Sequence, residues 1–192
     1  MDPINLFGNY ITKDNYTFDW SSVETKVVDL LNRPECATHP EVPNGLSTLM
    51  TVSSMPHDWP ELQPYITWIS SRLPKIGELW NLRPCRVQLM NSWINCHPPG
   101  AKSTQHEHGN VDIVVSAYPK FPKNSGRIEF KDPLEYHWHG YPTAGDRNVF
   151  WKPVELQEGD VIFFPGWIKH RTEVNESLEN RYVLTINFKL IT

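Results

Sequence analysis

Two histidines two residues apart, His106 and His108 in Gln105-His-Glu-His108, carry the strongest chemical signal in the chain. On a strand they point to the same face with Cα atoms roughly 6.6 Å apart, at about 3.3 Å per residue. Two imidazoles at that separation can converge on one ion. A His-x-His pair alone is more often two solvated loop histidines, so a third group is needed. His170 supplies it. It follows Glu158-Gly-Asp-Val-Ile-Phe-Phe-Pro-Gly-Trp-Ile-Lys-His170, in which Gly159-Asp160 and Pro165-Gly166 are turn signals around the β-branched and aromatic run Val161 to Phe164. A metal facial triad needs two ligands close in sequence and one distant, which leaves three coordination positions open. Eleven residues later, Arg181 opens another strand. Its planar guanidinium is suited to gripping a carboxylate while half buried.

Other residues are weaker candidates. His137-Trp-His139 repeats the i,i+2 spacing beside Glu135, Tyr136 and Tyr141, and reads better as a substrate-side lid or plain surface than as a second metal site. His97, before two prolines, reads as a loop histidine, and His39 and His57 as exposed ones. Trp93, Trp138, Trp151 and Trp167 could line a pocket, although tryptophans in a small β core usually serve packing.

The elements that must position these groups follow from periodicity. Residues 1 to 20, with Leu6, Phe7 and Tyr10 near the start, could form one or two edge strands. Ser21 or Ser22 can cap a short amphipathic helix through Val23, Val27, Val28, Leu30 and Leu31, stopped at Asn32-Arg33-Pro34. Gly45 to Val52 suggests a short strand. From Pro60, apolar residues at spacings of three and four predict a second helix, disturbed at Pro74. From Arg86 the period becomes two, with Val87, Leu89, Asn91, Trp93 and Asn95 on one face and Gln88, Met90, Ser92, Ile94 and Cys96 on the other. Gln105 to His108 opens a second strand, continued by Val111 to Tyr118 beyond a kink at Gly109-Asn110. Arg127 to Phe130 and Arg181 to Leu190 are further strands, and Asp132 to Val154 is a surface excursion.

Taken together, Ser92-Trp-Ile-Asn95, Pro99-Gly100, His106-Glu-His108, Tyr118, Gly126, Phe130, Asp132-Pro133, the run Glu158 to His170 and Arg181 to Asn187-Phe188 resemble the iron(II)/2-oxoglutarate-dependent oxygenases of marine bacteria and cyanophages. The resemblance covers about residues 86 to 190. It implies an α+β chain with a double-stranded β-helix, or jelly roll, and flanking N-terminal helices. It also implies an iron(II) centre, 2-oxoglutarate as co-substrate and hydroxylation of a small-molecule or side-chain substrate. Position by position it puts His106 on the first ligand strand, His108 where most of the wider superfamily has an acidic residue, His170 as the distal ligand, and Arg181 under the distal carboxylate of 2-oxoglutarate. His106, His108 and His170 are the favoured ligand set. Asp112 is the alternative, in place of His108 or of His106, if the kink brings it round. Glu107 would point to the opposite face of a regular strand. Asn95, Tyr118 and Thr185 are expected around the co-substrate. Two departures stand out: Val114-Val-Ser-Ala-Tyr118 retains only the last tyrosine of the usual strand, which puts a hydroxyl there in doubt, and Val183 stands where relatives often have serine.

Composition bounds the rest. A chain of 192 residues, 39% hydrophobic, can bury one core, so a single domain over 1–192 is expected, with helical and irregular support in 1–83 and the β core in about 84–192. Eight tryptophans and seventeen prolines suit strands and structured loops. A net charge of −4 with mixed signs argues against an extended nucleic-acid surface. No apolar run suggests a membrane span, and three cysteines without Cys-x-x-Cys spacing suit a reducing cytoplasm. A homodimer is the default expectation. Two competing readings are a cupin-type three-histidine enzyme that does not use 2-oxoglutarate and a non-catalytic β-sandwich binding module.

Overall fold

A computed structural model describes residues 11–50, 55–135 and 150–191. The possible contributions of Leu6, Phe7, Tyr10 and Val52, and those of His137, Trp138, His139 and Tyr141, lie outside the described residues. The described elements are β1 (Thr12–Asn15), α1 (Ser21–Leu31), β2 (Leu46–Ser47), α2 (Gln63–Leu79), β3 (Arg86–His97), β4 (Ile113–Lys120), β5 (Ile128–Lys131), β6 (Trp151–Val154), β7 (Asp160–Pro165), β8 (His170–Thr172) and β9 (Arg181–Ile191).

The strands form two antiparallel sheets. The larger has the order β1-β7-β4-β9-β3-β2 and the smaller β6-β5-β8. β7 shows why its sequence is continuously apolar: Val161 and Phe163 join the core under the helices, whereas Ile162 and Phe164 join the core between the sheets. β9 divides in the same way. Tyr182, Leu184, Ile186 and Phe188 pack with α1 and α2, and Arg181, Val183, Thr185 and Asn187 hold the other face. The α+β double-stranded β-helix expected from the sequence is therefore the observed architecture.

Three local readings need correction. α2 runs through Pro74 unbroken; its buried face of Tyr65, Ile66, Ile69, Leu73 and Ile76 anchors it to the sheet and outweighs the one backbone hydrogen bond a proline cannot donate. β3 has a bulge between Leu89 and Asn91, so its alternation reverses there. Leu89 consequently packs with Ile94 and Cys96, and Trp93, Asn95 and His97 share the opposite face. Finally, Gln105 to His108 is no regular strand. It is held by a single bridge, His106 to His170, in which each backbone N–H donates to the other's carbonyl at 3.0 Å.

A backbone seam fixes the turn after β7. The His108 N–H donates to the Gly166 carbonyl at 2.9 Å and the Gly166 N–H to the Asp112 carbonyl at 3.2 Å. A Cβ at Gly166 would sit 2.1 Å from the Val111 carbonyl oxygen, so only glycine permits this approach. Gly166→Ala is expected to destabilise the fold by about 3 kcal/mol through backbone displacement and to weaken metal binding with it. Urea unfolding and metal titration of the purified variant check both.

Candidate metal centre

The irregular segment between β3 and β4 and the start of β8 carry three imidazoles to one point. The possible ligand atoms of His106, His108 and His170 all lie within 4.8 Å of one another. Ring centroids are 5.4 Å apart for His106 and His108, 4.2 Å for His106 and His170, and 5.2 Å for His108 and His170.

The outer nitrogens determine which atoms face inward. His106 Nδ1 lies 2.8 Å from the Thr104 carbonyl, His170 Nδ1 3.0 Å from the Ile168 carbonyl, and His108 Nδ1 2.8 Å from Asn187 Oδ1. Each partner is an acceptor, so each Nδ1 carries the proton and each Nε2 keeps its lone pair. Three neutral imidazoles with bare Nε2 atoms are what a divalent transition metal requires. Burial reinforces this. It pushes His108 down to about 4 against the opposing bond from Asn187, and pushes His170 well below its ordinary value, with the neighbouring His106 and His108 adding to the effect.

The alternative ligand Asp112 is held elsewhere. Its Oδ2 accepts from the Leu190 N–H at 2.8 Å and pairs with Lys189 at 3.2 Å, because the chain enters β4 beside the end of β9. Glu107 is exposed.

Asn95, Tyr118 and Thr185 line the cavity in front of the three histidines, together with Trp93, Ser116 and Val183. Trp93 stacks on His108 at 5.6 Å. Ser116 provides the hydroxyl that the atypical β4 sequence had left in doubt. Among the other tryptophans, Trp167 is half exposed and Trp151 takes the Arg171 guanidinium over its ring at 4.1 Å.

Arg181 is fully buried. Its guanidinium donates to the Ser125 carbonyl, to the Gly126 carbonyl at 2.7 Å and to Thr172 Oγ1 at 2.9 Å. Gly126 has φ +84, and a Cβ there would lie 2.6 Å from the Glu173 carbonyl, so this acceptor loop also depends on glycine. Burial lowers Arg181 to about 10. Among the described residues no carboxylate lies within ion-pairing distance, and the nearby Glu173 is committed to Arg127. A buried cation without a counter-ion is costly unless an anion arrives. The guanidinium meets the cavity through Thr172, which belongs to its wall.

Sequence reasoning missed several participants. Asn187 could have been found, because it shares the alternation of Arg181 and Thr185. His97 is fully buried in the cavity wall rather than in a loop. His39 is half buried in the same wall, its Nδ1 accepting the Glu41 N–H at 3.2 Å, and His57 is largely covered, bonded to Ser92 at 2.8 Å. Ser103 and Thr172 offered no sequence signal beyond residue type.

Residues 91–187, half of the chain, match the model of a family described as "Putative 2OG-Fe(II) oxygenase". The chain belongs to this family. Iron(II) and 2-oxoglutarate are therefore its cofactor and co-substrate, and the protein is an oxidoreductase. No curated protein matches the sequence. Similar solved structures share the fold at low identity. The viral collagen prolyl hydroxylase vCPH of Paramecium bursaria Chlorella virus-1, a 2-oxoglutarate complex, has a TM-score of 0.62 at 12% identity over 96% of this chain and 98% of that one. HygX from Streptomyces hygroscopicus, with nickel, 2-oxoglutarate and hygromycin B bound, has a TM-score of 0.60 at 11% identity over 94% and 82%. A 2OG-Fe(II) oxygenase family oxidoreductase from Burkholderia pseudomallei has a TM-score of 0.51 at 12% identity over 69% and 57%, so this oxygenase spans little more than half of that chain's length. Among the described residues no helix is long and apolar enough to cross a membrane.

Two predictions follow from the histidines. Asn187→Ala frees the His108 ring and should weaken metal affinity 10- to 100-fold, read by competition with a chelating dye. Acid should also destabilise the metal-free protein. The unfolded imidazoles protonate near 6.5, whereas native His108 resists protonation down to about 4, so the unfolded state binds more protons as pH falls. Stability is then lost between those values, by roughly 3 kcal/mol for His108. Urea midpoints across that range measure the slope, and His108→Gln should flatten it.

Proposed function

We propose that the protein is a single-domain iron(II)- and 2-oxoglutarate-dependent dioxygenase in which His106, His108 and His170 hold the iron and Arg181 holds the distal carboxylate of the keto acid. One observation carries this reading: three imidazoles whose Nδ1 atoms are all engaged hold their possible ligand atoms within 4.8 Å of one another, in a cavity whose wall is backed by a buried arginine that has no acidic partner among the described residues. The residue run from Ser92 to Asn187 supports placing it with the marine bacterial and cyanophage type, and three free cysteines, Cys36, Cys85 and Cys96, support a reducing cytoplasm.

Three protein ligands leave half of an octahedral sphere for the keto acid and oxygen. The bound iron and co-substrate supply oxygen activation, coupled to conversion of the keto acid to succinate and carbon dioxide and to hydroxylation of a C–H bond. The chain's own residues do the rest. Thr104, Ile168 and Asn187 orient the imidazoles. Trp93, Ile128 and Val183 keep the cavity wall apolar near the ligands and so restrict water. Asn95, Tyr118 and Thr185 offer polar groups beside the co-substrate. A neutral triad brings no negative charge to the metal, unlike one containing a carboxylate, and this favours an anionic chelate.

The competing expectation, a cupin-type enzyme without 2-oxoglutarate, is disfavoured by the family match over residues 91–187. An arginine with fixed hydrogen-bond acceptors but no counter-ion among the described residues also disfavours it. The purified protein with iron(II), ascorbate and 2-oxoglutarate should form succinate, and under anaerobic conditions it should develop an iron-to-keto-acid absorption band. Arg181→Ala should lose that band with iron still bound. A band that survives the substitution would remove Arg181 from the site, and no band in the unaltered protein would overturn the reading.

A further inference from the structure

His97, Ser103 and Thr172 surround the place where Arg181 meets the cavity. His97 and Arg181 are direct cross-strand partners on β3 and β9, and their side chains stand on the same face. The His97 ring is 1% exposed and its Nε2 lies 2.8 Å from Ser103 Oγ. Its Nδ1 is buried with no hydrogen-bond partner among the described residues. The backbone beneath it is rigid, because Asn175 Nδ2 donates to the His97 carbonyl at 2.7 Å.

Whichever tautomer His97 adopts, the pair keeps a spare donor. If Ser103 donates its hydroxyl proton to Nε2, the His97 Nδ1–H has no acceptor. If Nε2–H donates to Ser103 Oγ, the serine hydroxyl proton has none. Thr172 is in the same condition. Its Oγ1 already accepts from the Ser103 N–H at 2.8 Å and from Arg181 at 2.9 Å, so its lone pairs are committed and its O–H is left to donate. A fully buried guanidinium, a threonine hydroxyl and a histidine–serine pair thus converge with donors in excess and, among the described residues, no carboxylate to take them. Buried donors left unmade are expensive, and an anion satisfies them together.

We propose that the His97–Ser103 pair and Thr172 are positioning groups for the distal carboxylate of the keto acid, supplying the hydrogen bonds that Val183 cannot. The proposal rests on the Arg181 reading above. The ligand chemistry is a carboxylate about one short carbon chain away from the metal-chelating end of the same molecule. Selectivity for a dicarboxylic over a monocarboxylic keto acid follows from it.

The test is calorimetric titration of the full-length chain loaded with manganese(II), a redox-stable stand-in for iron. Two ligands are used: 2-oxoglutarate, and oxalate, which chelates the metal but has no distal carboxylate. His97→Leu should weaken 2-oxoglutarate about 10-fold or more, the loss of one charge-assisted hydrogen bond, and leave oxalate unchanged. His97→Asn, whose amide can place a donor near the Nδ1 position, should recover most of the loss, and Thr172→Val should behave like His97→Leu. Equal weakening of both ligands would mean that His97 only packs, and no change in either would mean that it faces no ligand; each result overturns the proposal. If the unaltered protein bound oxalate but not 2-oxoglutarate, the co-substrate reading itself would fall, and that is distinguishable from failure of the pair.

Discussion

The reciprocal backbone bridge between His106 and His170 is the constraint on which the site depends. It joins the irregular segment after β3 to the first residue of β8, and so ties a connection of the large sheet to the small sheet at the point where the ligands converge. The Gly166 seam adds the second tie, between the end of β7 and His108. Both ties hold together the backbones that carry the three rings, and the Nδ1 bonds to Thr104, Ile168 and Asn187 set the rotation of the rings. The energetic cost of holding three neutral imidazoles together is met by backbone pairing and burial elsewhere in the barrel, before any metal arrives. Such preorganisation is what keeps ligand geometry precise.

The same logic separates the two ends of the cavity. At the metal end the histidines present lone pairs, a surface for a cation. At the Arg181 end the guanidinium, Thr172 and the His97–Ser103 pair present protons, a surface for an anion. A molecule with a chelating keto acid at one end and a carboxylate at the other matches both, and the Ser125-Gly126 carbonyls fix the arginine between them.

Much of this was legible in the sequence where periodicity is regular. β9 reads cleanly because both its faces are buried by different partners, so Arg181 and Thr185 could be assigned to one side. The His-x-His pair, His170 and Arg181 stood out by type and spacing. Where the backbone departs from regularity, alternation misled. The bulge before Asn91 reverses the faces of β3, which a strict period of two cannot represent. His97 ends that strand before Pro98-Pro99, and the prolines drew attention to a loop although the side chain still follows Trp93 and Asn95 into the cavity. A kink at Gly109-Asn110 leaves Asp112 open in the sequence as an alternative ligand; its bonds to Leu190 and Lys189 depend on β9, some 78 residues away, and no local pattern reveals them. Pro74 shows the converse: a strong local signal overridden by the apolar face of α2.

The central claim is a metal held by three imidazoles rather than by two and a carboxylate. X-ray absorption spectroscopy of the anaerobic iron(II) protein counts them directly. Three imidazole ligands in the unaltered protein and two in His108→Leu are the predicted result. Two imidazoles with a protein carboxylate in the unaltered protein, or a count that His108→Leu leaves the same, would contradict the account.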